Sequence, residues 1–454
     1  MFSCPCVCEE KILDGMHGLA QDVARGPAQQ GPVQGVAQGN AQDVGQGVSK
    51  ADMTKTPDTA PARGDGHRFS ISRLMLSDFR SYHSLRLETD SRSVVLTGPN
   101  GAGKTNLLEA ISFLGPGRGL RRARLSEVAR RDGPDDKDDG EAPSFRPWAV
   151  AVEVKTPQGR VEIGTGLEAQ LRPGAREKRA VHVDGEARKS QAALAEHLSV
   201  QWLTPQMDRL FLEGPSARRR FLDRLVFGFD PAHAGRVSAY EHAMRERGRL
   251  LRRGPADADW LRTLEETMAE KGIAVAAARQ EITHRLDAVC GRPQGPFPGA
   301  RLQVLGPVED WLAEGPALAA EDRLKERLRG ARDKDREAGG ASFGPHRSDF
   351  AVRHLAKDQP AGQCSTGEQK ALLITIVLAT ARMLAETRGT PPLLLLDEVA
   401  AHLDQDRRRA LYDEVSALGA QAWLTGTDAA LFDSLGSRAQ HFEVRDGILT
   451  PRSA

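Results

Sequence analysis

Aromatic side chains are scarce. Phe, Tyr and Trp make up 5% of the 454 residues, with three Tyr and five Trp, which argues against a protein that reads single strands base by base on stacking platforms. Long apolar runs are missing as well. The longest strongly apolar uncharged stretch, Ala371 to Ala381, has 11 residues, whereas a membrane-spanning helix needs about 18 or more. The chain reaches Glu9, Glu10 and Lys11 before any apolar segment long enough for a signal peptide. Five cysteines, crowded at Cys4, Cys6 and Cys8 and isolated at Cys290 and Cys364, make no disulfide framework. These absences lead to the expectation of a soluble cytosolic protein with no membrane partner. Neither charge is in excess: 63 Lys plus Arg oppose 62 Asp plus Glu, a net +1. A polybasic tail protein and an acidic disordered chain are excluded, so an anionic partner must be met by a local patch.

What is present is a globular composition, 39% hydrophobic and 28% charged, on a chain long enough for two or three domains at roughly 150 residues each. Its 45 Gly and 26 Pro are partly absorbed by the N-terminal segment. There, Gln30, Gln34, Gln38, Gln42 and Gln46 are interleaved with glycines, which remove helix propensity, in a stretch from His17 to Lys50 that has no Phe, Tyr, Trp or Ile. A low-complexity, disordered tail is expected over residues 1–66. Cys4, Cys6, Cys8 and His17 are spaced too tightly for the usual zinc ligand pairs.

From Phe69 the texture changes, with short strands through Leu85, Leu87 and Val94 to Thr97. Strand-like segments return at Trp148 to Val154 and Val161 to Leu167, around the turn-forming Pro157, Gln158 and Gly159. An antiparallel sheet beside a parallel one is expected. The acidic run Asp132 to Glu141 reads as a solvated loop. From Asp208 the pattern is helical, as in Phe221, Leu222, Leu225 and Val226, with no sustained heptad and a Gly and Pro cluster from Gly291 to Gly299. The expected organisation is an α/β ATPase lobe over 67–205, an inserted helical lobe over 206–340 and the rest of the ATPase lobe over 341–454.

Gly98, Pro99, Asn100, Gly101, Ala102, Gly103, Lys104 and Thr105 spell a complete P-loop. A strand at Val94 to Thr97 precedes it, and the helical pattern of Leu107, Leu108, Ile111 and Leu114 follows, as the mechanism demands. Backbone amides freed by the glycines cradle phosphates, Lys104 reaches the terminal phosphates and Thr105 ligates Mg²⁺. Far downstream, Leu393 to Leu396 form a strand buried on both faces that ends in Asp397 and Glu398. Two carboxylates at a strand end beside a P-loop have separate tasks: Asp397 completes the Mg²⁺ shell and Glu398 orients and deprotonates the attacking water.

Cys364 to Lys370 (CSTGEQK) resembles the signature motif of ABC-type ATPases, and Ala400 to Asp404 is similar to their D-loop. Lys104 and Ser365 are separated by 261 positions, too many for a compact transporter ATPase and too few for long coiled-coil arms. Phe79 to Tyr82 (FRSY), Gly214 to Asp223 (GPSARRRFLD), Gly344 to Asp349 (GPHRSD) and the signature together resemble the RecF family of bacterial recombination mediators, from Phe69 to about Leu449. The resemblance implies an ABC-type head with a helical lobe and no long coiled coil, which binds ATP and Mg²⁺, dimerises on DNA and hydrolyses ATP slowly. It implies action at single-strand gaps with RecR and RecO to help RecA load, and ATP-site roles for Asn100, Lys104, Thr105, Asp397 and Glu398. Ser365 and Gly367 would act in trans on the γ-phosphate bound by a second copy. One departure is visible. Where many ABC proteins place a switch histidine, this chain reads Trp423, Leu424, Thr425, Gly426, Thr427 and Asp428, so γ-phosphate sensing stays unassigned. Gln206 stands where the lobes of such proteins communicate. The rival readings are a transport ATPase subunit and a nucleotide-binding scaffold without turnover.

Between Arg209 and Arg253 eleven arginines face five acids, Glu213, Asp223, Asp230, Glu241 and Glu246. Arg218, Arg219 and Arg220 form a knot, and Arg245, Arg249 and Arg252 recur on one helical face. Such a stripe suits the phosphate backbone of a duplex. A second basic run, Arg118, Arg121, Arg122 and Arg124, follows the P-loop helix.

Overall fold

The computed structural model describes residues 69–130, 147–168, 177–253 and 257–452. The expectations for residues 1–66, for Cys4, Cys6, Cys8 and His17 and for the run Asp132 to Glu141 lie outside them. The chain divides into two units, Met1–Asp65 and Gly66–Ala454, and every described residue belongs to the second. Its strands in chain order are β1 (Ser70–Phe79), β2 (Tyr82–Glu88), β3 (Ser93–Thr97), β4 (Ala149–Thr156), β5 (Gly159–Leu167), β6 (Arg179–Val183), β7 (Glu186–Ala187), β8 (Val200–Leu203), β9 (Ala300–Leu305), β10 (Asp349–His354), β11 (Gln359–Pro360), β12 (Leu393–Leu396), β13 (Ala422–Gly426), β14 (Ala439–Arg445) and β15 (Ile448–Arg452). Its helices are α1 (Lys104–Ser112), α2 (Leu125–Val128), α3 (Ala192–His197), α4 (Pro215–Phe229), α5 (His233–Arg252), α6 (Ala258–Cys290), α7 (Pro307–Glu314), α8 (Ala317–Gly330), α9 (Arg332–Ala338), α10 (Thr366–Arg388) and α11 (Gln405–Leu418).

Two six-stranded sheets carry the fold, in the orders β2-β1-β4-β5-β6-β7 and β15-β14-β3-β13-β12-β8. The first is antiparallel throughout. The second is parallel from β14 to β8 and closes with the antiparallel β15. Alternation along its strands decides which layer each side chain joins. Val94, Leu96, Leu393, Leu395 and Trp423 pack with the antiparallel sheet and α1, while Val95, Leu394, Leu396 and Leu424 pack with α10 and α4. The parallel strands are therefore covered on both faces, which is why β12 is four leucines with no polar face to spare. Each such leucine contributes ~2 kcal/mol of burial. The same double coverage explains α10, whose residues from Gln369 to Ala381 are all buried.

The helical lobe has its own core, in which Tyr240 and Ala243 of α5 meet Met268 and Ile273 of α6, Trp311 of α7 and Leu324 and Leu328 of α8. A buried cluster ties it together. Arg247, 1% exposed, donates to Glu265 (2.9 Å), Asp335 (2.7 Å) and the Leu328 carbonyl (2.7 Å), and Arg332 closes on the other oxygen of Glu265 at 2.6 Å. The glycine and proline segment after Cys290 delivers the chain to β9, which pairs antiparallel with β10, so a small three-stranded sheet joins this lobe to the segment leading to the signature. Mixed α/β architecture of ATPase-head type, with sheets of both kinds and no long coiled coil among the described residues, agrees with the sequence expectation.

Candidate functional site

Strand β3 ends in the P-loop. Gly98 has φ +146°, and a Cβ there would lie 2.2 Å from the Val444 carbonyl oxygen of β14. Only glycine lets the loop leave the sheet this close to its neighbour. Gly103 caps α1 with φ +110°, and its missing Cβ leaves room for Ser81 Oγ and Tyr82 Oη, each 3.0 Å from where it would be. Tyr82 Oη donates to the Gly103 carbonyl (3.1 Å), and Gly447 N donates to the Ala102 carbonyl (3.1 Å). The loop is thus clamped by the β1–β2 turn on one side and the β14–β15 turn on the other. The FRSY segment also steadies α1. Arg80 forms a bidentate pair with the fully buried Glu109 (2.9 and 3.0 Å), and Arg121 joins it at 3.0 Å while donating to Asn106 at 2.8 Å. Lys104 is buried, with Nζ donating to the Gly98 and Pro99 carbonyls at 2.8 Å each. Burial lowers its pKa, and Glu398 and Asp397 oppose that shift.

Strand β12 lies two places from β3, with β13 between them. The parallel register delivers Asp397 beside α1, where Asp397 Oδ1 accepts from Thr105 Oγ1 at 2.9 Å across 292 residues of sequence. The same Oδ1 accepts from Thr425 Oγ1 of β13 at 2.8 Å, and Thr425 Oγ1 in turn accepts from the Glu398 backbone N–H at 2.9 Å. Thr425 is 1% exposed. Glu398 adopts φ +51°, the left-handed region, immediately after the buried Asp397. A side-chain residue held there costs on the order of 1 kcal/mol and persists only where surroundings fix it; here the Thr425 bond does so. Thr425 belongs to the segment Trp423 to Asp428 that stands at the place of the switch histidine, and its hydroxyl is spent on Asp397 and on the Glu398 backbone. The hydroxyl of Thr105 and the carboxylate of Asp397 are adjacent hard oxygens, a donor set that fits Mg²⁺ when phosphate oxygens and water complete the shell.

The signature lies at the start of α10. Ser365 Oγ accepts from Glu368 N (3.4 Å), and the Glu368 carboxylate accepts from Ser365 N and Oγ at 3.0 Å each, a reciprocal capping box. The capping role and an exposed, outward signature coexist. Ser365 and Gly367 are exposed, and a Cβ on Gly367 would meet nothing nearer than Arg407 at 4.0 Å. Lys357, then Ser365, hold the Glu368 carboxyl down at about 2. Ala401, His402 and Asp404 of the D-loop-like segment are exposed too. Among the described residues no hydrogen bond or ion pair joins Ser365 or Gly367 to the P-loop of the same chain. Gln206 is exposed in the 3-10 turn Pro205–Arg209 that follows β8, and its neighbour Asp208 pairs with the buried Lys370 of α10 at 3.4 Å.

The arginines divide. Arg219, Arg220, Arg245, Arg249 and Arg252 line one cleft. Arg218 does not join them: its guanidinium is committed to Asp349, with 2.7 and 2.9 Å bonds, and the side chain is only 14% exposed. Its expected role on DNA is withdrawn, because a paired, largely buried cation is unavailable to a phosphate. Arg122 and Arg347, from sequence far outside the helical lobe's knot, stand in the same cleft.

Comparison with known proteins agrees with this architecture. The "RecF/RecN/SMC N terminal domain" family matches residues 70–448. The "DNA replication and repair protein RecF" of Allorhizobium ampelinum is 50% identical over 382 residues, covering 84% of this chain and 98% of that protein. The protein of the same name from Rhizobium meliloti is 49% identical over 384 residues, again 84% and 98%. Among solved structures, "the recombination mediator protein RecF-ATPrS in RecFOR pathway" superposes with a TM-score of 0.72 at 22% identity, covering 86% of this chain and 100% of that one, a likeness of fold. Spanning both sheets, the helical lobe and nearly the full length of its relatives at about half identity, the chain belongs to the RecF family.

Proposed function

We propose that this chain is an ATP-switched DNA-binding protein of replication and repair that closes into a dimer on ATP. One observation carries the reading: Thr105, Asp397 and Thr425 are bonded together beside the P-loop with Glu398 next in line, while Ser365 and Gly367 face outward. In this reading the loop from Gly98 through Pro99 to Thr105 holds the triphosphate, the backbone N–H groups of Asn100, Gly101, Ala102, Gly103, Lys104 and Thr105 donating while Pro99, which has no N–H, shapes the turn, and the Lys104 side chain neutralises the terminal charge. Thr105 and Asp397 would hold Mg²⁺, which would supply neutralisation of the charge on the triphosphate. Glu398 orients the attacking water and accepts its proton. Ser365 and Gly367 of a second copy cap the γ-phosphate, so two ATP sites form only when two chains meet.

DNA as the polymer partner rests on the relatives, which are named for DNA replication and repair. RecR and RecO as protein partners, and assistance to RecA loading at single-strand gaps, are what membership of the RecF family implies, and the neighbour's title assigns that protein to the RecFOR pathway. The name of the relatives, DNA replication and repair protein, favours this reading over the transport one. The test is light scattering with ATP and Mg²⁺. Wild type should dimerise with ATP and dissociate as it is hydrolysed, Glu398→Gln should stay dimeric, and Lys104→Met should stay monomeric. A monomeric Glu398→Gln variant under ATP would refute the split site.

A further inference from the structure

We propose that the arginine cleft between the loop after α1 and helices α4 and α5 is a binding site for the sugar-phosphate backbone of duplex DNA, taking consecutive phosphates of one strand. It rests on the DNA reading above and goes beyond it by fixing where the polymer lies. The cleft has a volume of about 770 Å³. Eight guanidinium groups reach it against two carboxylates, Asp223 and Glu241. Asp223 is consumed by a bidentate pair with Arg279 at 2.8 Å and by His233 at 2.8 Å. Arg245 meets Glu241 at 3.5 Å, and Arg249 meets Glu246 at 3.0 Å.

Five cations remain without a carboxylate among the described residues. Arg219 donates to the Ser348 carbonyl, Arg220 to Ser216 Oγ, Arg252 to the Gly339 carbonyl and Arg347 to the Ala341 carbonyl. Arg122 lines the cleft at φ +57°, a left-handed backbone that costs on the order of 1 kcal/mol for a residue other than glycine. Desolvation by the cleft walls, and after it the like charges of Arg220 and Arg118, lower the Arg122 pKa. A chain with a net charge of +1 has gathered unpaired, mutually repelling cations and strained backbone at one concave surface. Such an arrangement focuses a positive field at the cleft and attracts a polyanion.

The shape selects among polyanions. A stripe of Arg245, Arg249 and Arg252 on successive turns, about 5.4 Å apart, matches a repeating charge rather than a single compact anion. Two rings stand in the lining: Tyr240, 3% exposed with its hydroxyl donating to His346 Nδ1 at 2.5 Å, and His346, half-buried with Nε2 donating to the Ala341 carbonyl at 2.9 Å. The two rings pack on each other, with centroids 5.9 Å apart, and are tied by these bonds, while arginines dominate the lining, so the cleft reads backbone.

The test uses the full chain and fluorescence anisotropy with a labelled blunt duplex and the matching single strand, titrated in salt. Arg122→Ala/Arg220→Ala and Arg245→Ala/Arg252→Ala change exposed side chains. Arg160→Ala/Arg262→Ala, outside the cleft, is the control, and nucleotide binding checks that each variant is folded. Each cleft pair should weaken duplex binding tenfold or more and flatten the slope of log K against log salt by roughly 1.8, at 0.9 per lost phosphate contact. Unchanged affinity and slope in both cleft variants, with wild type still binding duplex, would overturn the site and leave the DNA reading intact. Wild type that binds no duplex would overturn the reading itself. Single strand bound as tightly as duplex, and lost in the same variants, would overturn the assignment to duplex.

Discussion

Replacing Thr425 by Val removes one hydroxyl and almost no volume, and the structure says what that hydroxyl does. It donates to Asp397 Oδ1 at 2.8 Å and accepts from Glu398 N at 2.9 Å. A bond to a charged acceptor contributes ~1.5–3 kcal/mol, and an orphaned backbone N–H adds ~1 kcal/mol or more. The variant should therefore lose about 3 kcal/mol of stability and free Glu398 to leave its left-handed conformation. Part of that loss falls on the transition state, where the Glu398 carboxylate must be aimed at water. We expect single-turnover ATP hydrolysis to slow by ~10–100-fold, which is ~1.4–2.7 kcal/mol of barrier. Nucleotide affinity without Mg²⁺ should stay within about threefold, because the cradle does not use Thr425. Thr425→Ser keeps the hydroxyl and should recover most of the rate. A valine variant with wild-type hydrolysis and wild-type Mg²⁺ dependence would refute the positioning role.

Other outcomes follow from the same geometry. Gly98→Ala places a methyl 2.2 Å from the Val444 carbonyl oxygen; nucleotide binding measured by fluorescence should be abolished while Gly101→Ala, where a Cβ meets nothing within 4 Å, keeps a folded but strained loop. Arg247→Met leaves Asp335 and part of Glu265 buried without their partner, and denaturant unfolding should show a loss of ~3–5 kcal/mol. His346 is held down to about 4, first by burial, with Nε2 donating to the Ala341 carbonyl and Nδ1 accepting from Tyr240. Below the unfolded value of 6.5 the unfolded chain binds the proton first, so stability falls as pH drops from 6.5 towards 4, by at most ~1.4 kcal/mol per pH unit. Urea midpoints across that window should show the fall, and His346→Gln should lessen it.

Local chemistry was readable in the sequence wherever one stretch carries the whole signal. The glycines, lysine and threonine of the P-loop are contiguous, and so are the four leucines and two acids of β12. The turn at Pro157 and Gln158 and the strands on either side followed from alternation and turn residues. Arg245, Arg249 and Arg252 did fall on one helix and one cleft. Pairings across the chain were not readable. Nothing adjacent to Arg218 in sequence announces that Asp349 will take its charge, and nothing near Arg122 announces Arg220. Thr425 was legible only as one residue of the segment that stands where many ABC proteins place a switch histidine; its bonds to Asp397 and Glu398 were not, because those partners are 28 and 27 positions away.

The sequence by itself determined the elements and the chemistry of the nucleotide residues, since helix and strand periods and P-loop spacing are local properties of the chain. The tertiary structure alone decided which charges remain available. Whether an arginine serves a carboxylate or waits for a phosphate depends on what the fold sets within about 4 Å of it, the reach of an ion pair, and that distance is not written in the order of residues.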